Sequence, residues 1–96
     1  MPQKLSTESI QGWLKGHSGW KRKSNALVKE YKFPSFRDAI VFVNRIAGLA
    51  DQADHHPDID VRYDRVIITL STHSAGGITD SDIALAERLD FSTSAG

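Results

Sequence analysis

Residues 35–70 read SFRDAIVFVNRIAGLADQADHHPDIDVRYDRVIITL, and within them the hydrophobic period changes from helical to alternating. Ser35 is a good N-cap, and Phe36, Ile40, Val43, Ala47 and Ala50 then fall on one helical stripe. Ala39, Phe42, Ile46 and Leu49 widen that stripe to roughly half the circumference, more than a helix lying on one sheet face needs. The spacing predicts a helix over 36–54 with a second packing partner. Pro57 stops it, because the residue before a proline is pushed toward extended geometry. Beyond it Ile59, Val61 and Tyr63 alternate with Asp58, Asp60, Arg62 and Asp64, and Val66, Ile68 and Leu70 repeat the alternation. Strands over 59–63 and 65–72, turning at Asp64, form a hairpin.

Upstream, Trp20 to Lys23 and Ala26 to Phe33 flank a Ser24-Asn25 turn, and Pro34 ends the ladder before the helix begins. Ser6 or Thr7 caps a short first helix carrying Ile10, Trp13 and Leu14, closed by the stretch from Gly16 to Gly19. Downstream, Gly76-Gly77 makes a turn. Thr79 with Asp82 resembles a capping box for a last helix over residues 80–90, with Ile83, Ala86 and Leu89 inward. The order α-β-β-α-β-β-α specifies one α+β domain over 1–96, a four-stranded antiparallel sheet with three helices on one face.

Composition sets the outer bounds. Ninety-six residues with twelve Lys+Arg, twelve Asp+Glu and no cysteine leave no disulfide, redox thiol or Cys-bound zinc. Zero net charge argues against a nucleic-acid-binding face, and the apolar runs fall far short of the ~20 residues of a membrane span. The opening MPQKLSTESI holds no apolar signal core, so a cytoplasmic protein is expected. The neutrality is polarised: residues 1–50 carry nine basic and three acidic side chains (+6), and residues 51–96 the reverse (−6). The basic residues are spread through patterned segments, which favours two halves packing together, or against a second subunit, over a basic tail.

Side chains with chemical reach gather after the central helix, in Asp51-Gln52-Ala53-Asp54-His55-His56-Pro57. Asp51 and His55 stand at i and i+4, so they are expected to meet on the last turn, with His55 at the negative end of the helix dipole. A histidine so placed suits general acid work. His56, held extended by Pro57, points elsewhere, and His73 follows Thr72 at the end of the last strand, where sites are commonly built. His17 lies in a Gly-rich turn with no partner nearby in sequence and reads as structural. The His and carboxylate set suits a metal too. Against that, adjacent His55-His56 lacks the i,i+4 spacing of two ligands on one helix face, and there is no HExxH. Trp20 beside Lys21-Arg22-Lys23 reads as core next to a charged strand edge rather than as a base-stacking platform.

Taken together, Asp51-x3-His55-His56-Pro57-x5-Tyr63-x9-His73-x8-Asp82 resembles the signature of the pterin-4a-carbinolamine dehydratase family. The likeness extends over nearly the whole chain, through Gly19-Trp20, Tyr31, Phe33 and Phe36, and Leu70-Ser71-Thr72-His73 followed by Gly76-Gly77-Ile78-Thr79. Asp51 stands where many relatives have Glu, Asp64 where they have Asn, and Ser18 where they have Pro. The resemblance implies the same sheet with three helices. It also implies dehydration of 4a-hydroxytetrahydropterin to quinonoid dihydropterin, which recycles the pterin of aromatic amino acid hydroxylases. Pterin would be the substrate, with no metal and no separate cofactor. On that resemblance His55 and His73 would carry the proton transfers and His56 would position the pterin. Asp51 and Asp54 would orient the histidines, Trp20 would line the ring site, and Thr72 belongs with these substrate-binding or orienting residues. A homotetramer with helix 36–54 in a central bundle, or a homodimer joined through sheet edges, is expected. Some relatives bridge dimers of a transcription factor, so a non-catalytic coactivator or an assembly scaffold is the alternative. The intact Asp51, His55, His56 and His73 favour catalysis over it.

Overall fold

The computed structural model describes residues 3–94. Along them run α1 (Thr7–Lys15), β1 (Lys21–Lys23), β2 (Ala26–Lys32), α2 (Phe36–Ala53), β3 (Asp58–Arg62), β4 (Arg65–Leu70) and α3 (Asp80–Ser94), with a 3-10 turn over His73–Ala75. The strands form one antiparallel sheet in the order β1-β2-β4-β3. Each hairpin therefore contributes one edge strand and one central strand, joined where Leu27 faces Leu70 and Tyr31 faces Val66. Period-two alternation turns Leu27, Tyr31, Val66, Ile68 and Leu70 to one side of the sheet. There they meet Ile10 of α1, Phe42 and Ile46 of α2, and Leu85 and Leu89 of α3. This is the α+β architecture that the periodicity predicts.

Local chemistry sets the element ends. Ser6 accepts the Ser9 N–H to cap α1, and Ser35 accepts the Asp38 N–H to cap α2. Ser24 and Tyr63 take positive φ (54° and 57°) as the first residues of the two hairpin turns, so Tyr63 leaves the ladder and stacks on Phe36. Lys29–Asp90 joins a base of the first half to an acid of the second, whereas Arg65–Glu30 crosses the sheet with the signs reversed.

Several expectations shift. The buried line of α2 is Ala39, Phe42, Ile46 and Ala50, not the stripe from Phe36 through Ala47. Packing against both β4 and α3 explains the wide apolar arc: α3 is the second partner, while Phe36 and Val41 remain 49% and 46% exposed. α3 continues past residue 90 to Ser94, and Asp82, Leu85, Ala86 and Leu89 point inward, with Ile83 at the margin. β4 stops at Leu70 because its pairing with β2 runs out at Leu27, and Thr72 instead bridges Gly77. His17 does have partners. It stacks on Trp13 at 4.2 Å, lies 2.7 Å from the Trp13 carbonyl through Nδ1, and sits 3.4 Å from Glu87 through Nε2.

Candidate active site

The site begins where α2 stops. Asp54 takes a left-handed conformation (φ 50°, ψ 42°), a position that usually falls to Gly but that Asp tolerates. The Asp54 N–H bonds back to the Asp51 carbonyl at 3.2 Å and the His55 N–H to the Ala50 carbonyl at 3.1 Å, which closes the helix. The chain then leaves the helix axis, so His55 no longer lies one helical turn above Asp51. The expected Asp51–His55 pair is not formed. Asp51 Oδ1 instead meets His56 Nε2 at 2.9 Å, and His55 Nε2 lies 2.5 Å from Oδ1 of Asp82. Asp54 contributes a backbone stop, and among the described residues no hydrogen bond or ion pair joins its side chain to His55 or His56.

Asp82 is the third residue of α3 and is fully buried. Its Oδ2 accepts the Thr79 N–H at 2.9 Å, the reach-back of a capping box, and also the Thr72 hydroxyl at 2.8 Å. The Thr72 and Thr79 hydroxyls lie 2.8 Å apart, and Thr79 Oγ1 accepts the Ser81 N–H at 3.2 Å. A buried carboxylate is costly unless it is paired and hydrogen-bonded, and here both oxygens are occupied. Among the described residues no buried side-chain nitrogen or oxygen lacks a partner. One side chain thus both caps a helix and grips an imidazole.

The three elements bring most of the expected residues to one end of the sheet, at the start of β3, the end of β4 and the N-terminus of α3. His55 is 14% exposed at its side chain, whereas the His56–Asp51 pair is 60% and 75% exposed. His73 opens the 3-10 turn directly after Thr72 and is exposed, and the Thr72–Gly77 bridge closes the loop that carries it. The arrangement offers a largely buried imidazole fixed against a carboxylate, with two exposed imidazoles at the same end of the sheet. It is equipped to move protons. Among the described residues no three His, Cys, Asp or Glu side chains are grouped to hold a metal ion.

Trp20 is elsewhere. Its indole N–H donates to Asp90 Oδ2 at 2.9 Å, and its ring lies against Trp13 and Tyr31. Asp90 is eight residues beyond Asp82 on α3, about 12 Å along the axis at 1.5 Å per residue. Asp90 Oδ1 also accepts from Lys29 Nζ at 2.8 Å and the Tyr31 hydroxyl at 2.5 Å. Burial pushes the Asp90 carboxyl up, but the hydrogen bonds from Lys29, Tyr31 and Trp20, with the Lys29 charge, hold it below its ordinary value. Burial, followed by the bond to Asp90 and its charge, drives the Tyr31 phenol far above its own. Asp82 and Thr79 are the site members that the sequence reading passes over. Their signal was present, because both were read as helix caps and Asp82 closes the signature.

Comparison with known proteins bears on the family and the fold. Residues 3–92 match the family described as pterin 4 alpha carbinolamine dehydratase. A protein of Thermomicrobium roseum, a pterin-4-alpha-carbinolamine dehydratase by assignment, is 52% identical over 86 residues, covering 90% of this chain and 92% of its own. One of Metallosphaera sedula with the same assignment is 48% identical over 90 residues, covering 94% and 93%. The crystal structure of a transcriptional coactivator/pterin dehydratase from Brucella melitensis superposes with a TM-score of 0.88 at 32% identity, covering 92% of this chain and 96% of that one. A pterin dehydratase-like protein identified as a RuBisCO assembly factor in the alpha-carboxysome gives a TM-score of 0.64 at 27% identity, covering 77% and 88%.

Proposed function

The chain belongs to the pterin 4 alpha carbinolamine dehydratase family, and we propose that it is a hydro-lyase that converts 4a-hydroxytetrahydropterin to quinonoid dihydropterin by histidine acid/base catalysis. In this reaction the C–O bond at the carbinolamine carbon breaks with its electron pair going to oxygen, and a delivered proton releases water. The adjacent ring nitrogen supplies its lone pair to form the C=N bond and gives up its own proton. Proton gain and loss are balanced, so the site needs an acid and a base and nothing redox-active. His55 and His73 fill those two roles, and His56 positions the ring. Asp82 orients His55, Asp51 orients His56, and Thr72 acts through Asp82.

The observation that carries this reading is His55: a largely buried imidazole, fixed through one nitrogen by a buried carboxylate, at the same sheet end as His56 and His73. A binding scaffold has no use for a buried carboxylate spent on aiming an imidazole. The proposed setting is recycling of the pterin used by an aromatic amino acid hydroxylase, in the cytoplasm, by a closed homotetramer or homodimer that covers Phe36 and Val41. Among the described residues no helix is long and apolar enough to cross a membrane. The decisive assay follows decay of 4a-hydroxytetrahydropterin spectroscopically with and without the purified protein. A rate no faster than the uncatalysed reaction overturns the proposal, and a monomer by light scattering at micromolar concentration overturns its oligomeric part.

A further inference from the structure

We infer that a directed hydrogen-bond chain, Thr79 to Thr72 to Asp82, holds neutral His55 as its Nε2–H tautomer, so that Nδ1 is the nitrogen that exchanges protons with substrate and Thr79 is a positioning residue. The direction follows from counting donors. An ionised carboxylate only accepts, and a hydroxyl has one proton to give. Asp82 Oδ2 takes the Thr72 hydroxyl proton at 2.8 Å, so Thr72 has none left for Thr79. The 2.8 Å contact between the two hydroxyls is therefore made by the Thr79 proton, while Thr79 accepts from the Ser81 N–H. Asp82 Oδ1, at 2.5 Å from His55 Nε2, leaves that nitrogen the donor's part.

Among the described residues Thr72, Thr79 and Asp82 are the buried polar side chains, and their network reaches one imidazole nitrogen through Asp82 Oδ1. Helix capping alone does not require this. Thr79 and Asp82 cap α3 with their own backbone and side-chain groups, and the Thr72 hydroxyl adds nothing to the cap. What Thr72 adds is a second donor that keeps Oδ2 occupied and Oδ1 turned toward His55. With Nε2 committed, Nδ1 on the exposed edge is left to act as base when neutral and as acid when protonated.

The role of Nδ1 rests on the dehydratase reading, whereas the tautomer does not. The test is long-range proton–nitrogen NMR on the ¹⁵N-histidine-labelled free protein, at a pH where His55 is neutral. His55 Nε2 is expected in the protonated range and Nδ1 in the unprotonated range. Thr79→Val should mix the tautomers, shift the pH profile of kcat and lower kcat about three- to tenfold, the worth of one hydrogen bond, while Thr79→Ser recovers the tautomer and most of the rate. If Thr79→Val fails to fold for want of its cap, Thr72→Val with Thr72→Ser asks the same question without touching the cap. A neutral His55 carrying its proton on Nδ1 overturns the inference whatever the turnover. So does a folded Val variant with unchanged tautomer and pH profile. Absence of dehydratase activity with the Nε2–H tautomer in place removes the proposed function and the role of Nδ1, and upholds the directed chain.

Discussion

Asp82 and Asp90 lie two turns apart on α3, and each is the hub of a hydrogen-bonded cluster, but the clusters end differently. Around Asp90 the donors are an ammonium, a phenol and an indole from Lys29, Tyr31 and Trp20, all supplied by β2 and the start of the first hairpin. Aromatic rings close over them, with Lys29 Nζ 4.8 Å from the Tyr31 ring centre. Around Asp82 the donors are small hydroxyls and a backbone N–H, and the remaining oxygen meets an imidazole whose far edge is open. The first cluster ends on groups packed between the sheet and the end of α3. The second ends on an imidazole that keeps one ring nitrogen outside the cluster. The same type of side chain, on the same helix, thus clamps structure at one end and holds an imidazole at the other.

The largest expected effect breaks the comparison at its functional end. His55→Ala and His73→Ala should each lower kcat about 10²–10⁴-fold, the usual worth of a positioned acid or base, measured by pterin dehydration under saturating substrate. Their stabilities should part company. His73 is exposed, so its removal leaves the melting temperature unchanged. His55→Ala strands a buried carboxylate and should cost about 3 kcal/mol or more in denaturant unfolding. Equal melting temperatures for the two variants would show that Asp82 does not depend on His55.

Exchanging the two aspartates for asparagine sharpens the contrast. Asp90→Asn should destabilise by about 2 kcal/mol, roughly 10 °C in melting temperature for a chain this size, with kcat unchanged. Asp82→Asn should lower both stability and kcat, because it removes the charge that His55 faces. The pH dependence separates them further. The folded Asp90 carboxyl titrates below its ordinary 3.8, so its stabilisation is complete above that pH and is lost as pH falls through the folded value. Wild type should therefore show a steeper fall in melting temperature below about pH 4 than Asp90→Asn. Parallel acid limbs would remove Asp90 from the clamp.

The sequence reading reached the fold because each signal was local: a stripe at helical spacing, alternation on either side of Asp64, and caps at Ser6, Ser35 and Thr79. The histidine cluster was legible for the same reason, since Pro57 and the strand ends place His55, His56 and His73 at one edge. The partners were not. Pairing Asp51 with His55 assumed helical geometry through residue 55, and a single left-handed residue at Asp54 turns His55 away and leaves His56 to meet Asp51. Trp20 and Asp90 are seventy residues apart, so no spacing rule connects them. Asp82 was visible as a cap, yet its partners His55 and Thr72 come from 27 and 10 residues away, which is tertiary information.

The smallest effect tests whether exposure alone demotes a carboxylate–histidine pair. Asp51 and His56 make the same Nε2 to Oδ1 contact as Asp82 and His55, but at 2.9 Å and with 75% and 60% of their side chains in solvent. In water such a pair gains little, because high dielectric weakens the attraction and holding two mobile side chains together costs entropy. Asp51→Ala should therefore shift unfolding free energy by no more than about 0.5 kcal/mol and leave kcat within about twofold. Any loss should appear in KM, because His56 is proposed to hold the ring rather than to move protons. Asp51→Glu, the length found in many relatives, should match wild type in both constants. A tenfold fall in kcat for Asp51→Ala, without a matching change in KM, would make the exposed pair a working part of the proton transfer and erase the distinction drawn from burial.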